Sequence, residues 1–206
     1  MKLDKTNREP EDIREPLDKN KVYRVFLEQL NMIERSTISV NETDRDRVRE
    51  NSLDIGFKLF PIIESVAVNI VGKTTRAYLK ELGYSKTEAN LMYSMFRNGL
   101  LHNFNPFHYV YDDGEISWGL MSSSGTSGFV PHFPGYKSDE EEYNMSADKA
   151  FSYEKIGEGQ VHASLSLDAL LSHVRYDLNE RLKKDTRTTI DIVVGKRFFG
   201  KTPSVE

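Results

Sequence analysis

The chain has 206 residues, of which 38% are hydrophobic and 29% are charged, and its formal net charge is −4. This length supplies one fair-sized core, and the acidic balance excludes a protein that holds nucleic acid through a broadly basic surface. The absence of cysteine excludes disulfides, thiolate metal sites and a cysteine nucleophile. A charged N-terminus and interrupted apolar runs predict no signal peptide and no membrane span, so we expect a cytoplasmic protein.

The first half of the chain is patterned as helix after a polar start. Residues 1–17 are polar and contain two prolines, which predicts a disordered N-terminal arm. Asp18 is placed to cap a first helix, whose apolar residues recur at helical spacing. A second helical pattern covers residues 43–71, and Pro61 within it is expected to kink or split the helix.

Glycine, serine and proline mark the ends of the helices that follow. Gly72 is placed to end the long helix, and Gly83 to end a short one after it. Ser85 and Glu88 form a capping-box pattern, which predicts the start of another helix. Pro106 forces that helix to end just before it.

The pattern changes from helix to strand over residues 107–165. Strand-like runs flank the Asp-Asp-Gly turn at 112–114 and the Gly-Glu-Gly turn at 157–159, which predicts two β-hairpins. Ser166 is then placed to cap a last helix with a strong apolar stripe.

The predicted fold is mainly α. It is a single domain over residues 18–199, with a helical bundle at 18–106 and a small antiparallel β-insertion before the closing helix at 166–184. Residues 188–194 alternate as a final strand that is expected to pair with the hairpins. Residues 200–206 form a tail.

Residues 97–102 (Arg-Asn-Gly-Leu-Leu-His) bring together three groups that phosphate chemistry uses. Arg97 supplies a fixed cation that binds phosphate through two hydrogen bonds. Asn98 supplies an orienting amide, and His102 an imidazole that takes and gives a proton near neutral pH. These three are the predicted catalytic residues. The alternative interpretation is a solvated helix face with a histidine that interacts with the helix dipole.

Helix geometry constrains how these groups meet. On a regular helix Arg97 and His102 are about 140° and about 7.5 Å apart, so they do not share a face. Asn98 and His102 are four residues apart and do share one. The site forms only if Arg97 swings round, if the helix loosens near Gly99, or if a second subunit supplies half of it.

The pair Arg97-Asn98 followed by His102, late in a helix of a helical N-terminal region, resembles the HEPN superfamily. The family has an arginine, a polar residue and then a histidine after four to six positions, near the end of one bundle helix. The resemblance covers about residues 20–106 plus the helix at 167–184. It implies a HEPN-like helical bundle and a homodimer in which the two motif helices face each other.

The resemblance also implies an activity, that of a metal-independent endoribonuclease without a cofactor. Arg97 would bind the scissile phosphate, and His102 would act as general acid or base while the ribose 2′-hydroxyl attacks. Asn98 would position His102 or the phosphate. RNA would be the partner, held at a local site, and the role would be phage defence or a toxin-like stress response.

One position departs from part of the family. Some toxin members carry, two residues after the histidine, a tyrosine that a partner nucleotidyltransferase modifies, and this chain has Phe104 there. Control by that modification is therefore not expected. Other members are non-catalytic modules that bind a nucleotide or a protein, which is the main alternative here, although Arg97 and His102 are both retained. A bundle unrelated to HEPN, with these two residues on its surface, is a third interpretation.

Two further polar residues are candidates for supporting the site. Glu64 lies on an apolar stripe, where a buried carboxylate needs a partner such as Arg97; the alternative is a carboxylate at the wet edge of the stripe. Asn69 is either a supporting residue or a satisfied polar group of the bundle. The five histidines lack metal-ligand spacing, so no metal is expected. Residues 72–74 (Gly-Lys-Thr) lack the upstream glycine of a phosphate loop, which excludes a nucleoside triphosphatase.

Overall fold

The structure is mixed α/β, which corrects the prediction of a mainly α bundle with a small antiparallel insertion. It is a computed structural model that describes residues 11–37, 45–94, 109–111, 114–121 and 150–197. Within these residues the helices are α1 (Lys19–Thr37), α2 (Arg45–Ser65) with a π-helical continuation (Val66–Val71), α3 (Thr75–Glu81), α4 (Lys86–Leu91) and α5 (Leu167–Lys184). The strands are β1 (Glu11–Asp18), β2 (Tyr109–Tyr111), β3 (Gly114–Met121), β4 (Phe151–Gly157), β5 (Gln160–Ser166) and β6 (Thr189–Arg197).

The helix ends confirm the capping predictions. Asp18 Oδ1 and Ser166 Oγ each accept a hydrogen bond from a backbone N–H in the first turn of their helix, at 2.9 and 3.2 Å. Gly72 and Gly83 both have positive φ, at +70° and +94°, where a side chain would be strained. These short-range signals set the helix boundaries because each one acts within a few residues.

A split of the long helix at Pro61 was one of the two expected outcomes, and it does not occur. α2 runs through Pro61 to Ser65 and continues as the π-helical segment. Pro61 is exposed, so water can solvate the carbonyl group that loses its amide donor. The irregularity instead begins where Asn69 Nδ2 donates to the Ser65 carbonyl oxygen at 3.0 Å.

The larger sheet has four strands in the order β2-β3-β5-β4. Both predicted hairpins are present as antiparallel pairs, β2 with β3 and β4 with β5. The pairing of β3 with β5 is parallel and was not predicted. It places β5 in the middle of the sheet, and its buried Ala163 and Leu165, with Ile116 and Leu120 of β3, join the apolar core.

The second sheet joins the two ends of the described chain, because β1 pairs antiparallel with β6. Residues 11–17 are therefore a strand and not part of a disordered arm, while residues 1–10 lie outside the described residues. The last strand was expected to pair with the hairpins, and that prediction was wrong. Alternation of side chains identifies a strand but not its partner, and Pro16 fits because β1 is an edge strand.

One cluster of buried side chains links the helices with the four-stranded sheet. The largest of its members that are less than 2% exposed are Tyr23, Leu30, Ile55, Leu59, Ile63, Tyr78, Leu79, Leu82 and Met92. Each such side chain contributes about 1.5–3 kcal/mol when it leaves water. Among the described residues no single helix is long and apolar enough to cross a membrane, although Ser52–Val71 and Thr75–Glu81, bent by 84°, meet that test as a pair.

Candidate functional site

The predicted catalytic residues Arg97, Asn98 and His102 lie outside the described residues. The structure does describe the chain up to residue 94, three positions before Arg97. The described residues do include α4, which precedes the motif in the sequence, and the two predicted supporting residues, Glu64 and Asn69.

The start of α4 is fixed by the capping box that the sequence predicted. Ser85 Oγ accepts from Glu88 N at 3.2 Å, and Glu88 Oε2 accepts from Ser85 N at 2.7 Å. Two of the amide donors at the helix start are thereby satisfied. Ala89 and Met92 then lie in the core, so the helix that leads to the motif has a fixed start and a fixed buried face.

A buried polar contact ties the residue before this capping box to α5. Tyr84 Oη and His173 Nδ1 are 2.6 Å apart, and their rings are tilted by 53° with centroids 5.6 Å apart. Both side chains are buried. No local sequence pattern reveals this pair, because 89 residues separate its members.

A second contact joins Arg76 of α3 to Tyr93, which lies one residue before the described range ends at residue 94. Cζ of Arg76 lies 4.3 Å from the centroid of the Tyr93 ring, within the range of a cation–π interaction. Arg76 is exposed and Tyr93 is half-buried. Tyr93 precedes Arg97 by four residues in the sequence, so this contact is close along the chain to the predicted catalytic residues.

Of the two predicted supporting residues, Asn69 is a satisfied polar group. Its Nδ2 donates to the Ser65 carbonyl oxygen, and its Oδ1 accepts from Val193 N at 3.0 Å. It therefore fastens β6 to the π-helical segment, which is the structural alternative that the sequence left open. Glu64 is half-buried and has an interacting partner in the fold. Its suggested partner, Arg97, lies outside the described residues.

A cluster around Asp185 binds three distant parts of the fold together. Tyr23 Oη donates to Asp185 Oδ2 at 3.2 Å, Arg187 Nη2 donates to the same oxygen at 2.7 Å and to the Ile70 carbonyl at 3.2 Å, and Lys19 Nζ donates to the Asp185 carbonyl at 2.6 Å. The Arg187 guanidinium holds the pKa of the Asp185 carboxyl below its usual range. Burial, together with the Asp185 charge, raises the pKa of Tyr23 to about 12.

A similar cluster of polar side chains forms around Asp177 of α5, eight residues before Asp185 in the sequence. Asp177 Oδ2 accepts from Tyr78 Oη at 2.9 Å and from Arg181 Nε at 2.6 Å. Arg181 Nη2 also donates to Glu81 Oε2 at 3.1 Å, and Lys73 forms an ion pair with the same carboxylate. Burial and the Asp177 carboxylate raise the pKa of Tyr78 well above its ordinary value.

A polar cleft of about 430 Å³ lies between these two clusters. Among the described residues its charged lining consists of three cations and three anions, Arg181, Lys184, Arg187, Asp177, Glu180 and Asp185. Each cation forms an ion pair with one of these carboxylates. Because the charges are mutually satisfied, this arrangement stabilises the fold and offers no excess charge for an anionic ligand.

A groove of about 600 Å³ between α1 and α2 has a different character. Its lining is mostly apolar and includes Met32, Ile33, Phe57 and Ile62. Lys58, the one lysine among its described lining residues, forms an ion pair with Asp54. These described residues include no histidine or carboxylate that would move a proton.

The described histidines do not form a metal centre. Ser117 Oγ lies 2.9 Å from His162 Nδ1 across the parallel pair β3–β5, and His173 contacts Tyr84. No group of three or more histidine, aspartate or glutamate side chains in the described ranges is placed to hold a metal ion.

The ion pair between Asp177 and Arg181 was not predicted from the sequence. A local signal for it does exist, because the two residues are four apart on one helix.

Comparisons with protein-family profiles, with curated proteins and with solved structures find no match to this chain.

Proposed function

We propose that this chain is a metal-independent endoribonuclease of the HEPN type, with Arg97, Asn98 and His102 as its catalytic residues. The observation that carries the proposal is the sequence itself: arginine, a polar amide, and a histidine five residues after the arginine. The capping box and buried face of the helix that leads to this segment support it, because a catalytic group must be held by a rigid element.

The three side chains match the demands of RNA cleavage without a metal. His102 takes the proton of the ribose 2′-hydroxyl as general base, and the imidazolium then gives a proton to the departing 5′-oxygen as general acid. The 2′-oxygen then bonds to phosphorus as the bond from phosphorus to the 5′-oxygen breaks. The products are a 2′,3′-cyclic phosphate and a 5′-hydroxyl end. Arg97 stabilises the charge on the phosphate oxygens, and Asn98 orients the phosphate or the imidazole.

A homodimer completes the proposed site. Arg97 and His102 do not share a face of a regular helix, so two motif helices that face each other across a two-fold axis would supply the missing group from the partner subunit. Symmetric dimers are the commonest soluble oligomers. The proposal places the protein in the cytoplasm, in phage defence or a stress response.

A second candidate is a non-catalytic module that binds a nucleotide or a protein. The net charge of −4 favours it, because an acidic chain attracts RNA only through a local cationic site.

The test is RNA cleavage in EDTA by the wild type, Arg97→Ala and His102→Ala, with His162→Ala as the matched control. We expect cleavage by the wild type and the control, and a loss of at least about 100-fold in the other two, as for removal of a general acid or base. Cleavage that stops in EDTA, or that both motif variants retain, would contradict the proposal. Nucleotide binding without cleavage would favour the second candidate.

A further inference from the structure

The outer face of α3 carries two cations without acidic partners. Arg76 and Lys80 are exposed and four residues apart, so they lie on the same side of the helix. Within the described ranges no carboxylate forms an ion pair with either one. The adjacent Glu81 is already bound by Lys73 and Arg181.

The spacing of Arg76 and Lys80 does not stabilise α3. Like charges four residues apart destabilise a helix, so Arg76 and Lys80 gain nothing from each other. In a chain with a net charge of −4, they form a small local cationic patch. A patch of this kind is what an acidic protein needs in order to hold a nucleic acid at one place.

The position of the Arg76 guanidinium adds a second and independent feature. Its Cζ lies 4.3 Å from the centroid of the Tyr93 ring, within the range in which an aromatic face attracts a guanidinium. Arg76 is exposed whereas Tyr93 is half-buried. Arg76 thus contacts an aromatic ring while it stays accessible to solvent, and a planar guanidinium can stack on another flat group.

We propose that Arg76, Lys80 and Tyr93 form a subsite for one nucleotide of single-stranded RNA. A base stacks on the guanidinium of Arg76, which Tyr93 supports from behind, and the ammonium group of Lys80 binds a backbone phosphate. The inference rests on the proposed function, since the nucleotide belongs to the RNA that Arg97 and His102 cleave. Tyr93 precedes Arg97 by four residues, so the subsite holds a nucleotide near the scissile phosphate.

The chemistry selects single-stranded RNA over a duplex. Unpaired bases can leave their neighbours and stack on arginine or aromatic side chains, which is how proteins commonly recognise single-stranded RNA. Bases in a duplex are already stacked on one another, so they cannot enter such a site without unpairing. The subsite thus determines which form of RNA the enzyme accepts.

The test measures binding of a fluorescein-labelled single-stranded 2′-O-methyl RNA, whose blocked nucleophile prevents its own cleavage. Arg76→Ala should weaken binding about tenfold, which is within the range for loss of one stacked base. Arg76→Lys keeps the charge but not the planar group, and should still weaken binding about threefold. Lys80→Ala should weaken binding. It should also reduce the slope of log affinity against log salt concentration by about one, the value for one lost phosphate contact.

The matched control is Arg24→Ala, which removes an exposed arginine from α1, where it pairs with Glu28. It should change the affinity less than about twofold. Thermal unfolding of every variant separates loss of binding from loss of fold. Wild-type affinity in well-folded Arg76→Ala and Lys80→Ala, or equal affinity of the wild type for the duplex and the single strand, would overturn the subsite.

A cleavage assay with unmodified RNA, run beside the binding assay, distinguishes this inference from the proposed function. RNA binding that depends on Arg76, in a protein that cleaves no RNA, would support the subsite and contradict the nuclease. Cleavage that depends on His102, with KM unchanged in Arg76→Ala, would support the nuclease and contradict the subsite.

Discussion

The hydroxyl of Tyr84 lies 2.6 Å from Nδ1 of His173, and the two side chains are 2% and 1% exposed. The contact joins the residue before the capping box of α4 to the middle of α5. It therefore fixes the start of the helix that leads to Arg97 against the longest C-terminal element of the core. A hydrogen bond in this environment is costly to leave unmade.

Tyr84→Phe is expected to lower the free energy of unfolding by about 1–3 kcal/mol, because it removes the hydroxyl that serves a buried imidazole nitrogen. Urea denaturation at neutral pH measures the change. Tyr176→Phe, at a position of α5 that is 38% exposed, is the control and should cost less than about 0.5 kcal/mol. Equal effects of the two substitutions would show that the buried contact does not stabilise the fold.

Asp185→Asn is expected to destabilise the protein in a pH-dependent way. The folded pKa of Asp185 is held below its ordinary value by Arg187, so the charged form stabilises the fold above the unfolded pKa of about 3.9, and this contribution is lost as pH falls below that value. At neutral pH the substitution should cost about 1.5–3 kcal/mol, as for hydrogen bonds to a charged group.

The measurement is the urea midpoint of the wild type and Asp185→Asn from neutral pH down to about pH 3, around the unfolded pKa. The difference between the two should shrink as the solution becomes more acidic. Asp191→Asn, at an exposed position on β6, is the control, and its urea midpoint should differ little from that of the wild type over the same pH range. A difference that stays constant with pH would contradict the assigned role of the Asp185 charge.

Asn69→Ala tests the link between the π-helical segment and the terminal sheet. It removes the acceptor for the Val193 amide, at 3.0 Å, and the donor to the Ser65 carbonyl. The expected cost is about 1–2 kcal/mol, with faster hydrogen exchange at Val193 than in the wild type. Asn179→Ala, an exposed asparagine of α5, is the control. Unchanged exchange at Val193 would show that the side chain does not hold β6.

The sequence predicted those features of the fold that depend on neighbours within a few residues. Asp18, Ser85 with Glu88, and Ser166 cap helices as expected, and Gly72 and Gly83 end them. Each of these signals satisfies a terminal backbone group locally. The tertiary structure is not needed to recognise them.

The sequence did not predict features that depend on distant partners. β1 is polar and entirely exposed, and it is a strand because β6, about 180 residues later, pairs with it. The parallel pairing of β3 with β5 joins strands whose order along the chain does not reveal their direction. The contact between Arg76 and Tyr93 crosses the break between α3 and α4, which helical periodicity does not span.

The most direct test of the central claim is a single-turnover assay in EDTA with two RNAs of one sequence. One is all-ribose, and the other carries a single 2′-deoxynucleotide on the 5′ side of the cleaved bond. We predict that the wild type cleaves only the all-ribose RNA to a 2′,3′-cyclic phosphate, and that His102→Ala and Arg97→Ala cleave neither. Cleavage of the 2′-deoxy RNA at that bond, or full activity in either variant, would contradict the account.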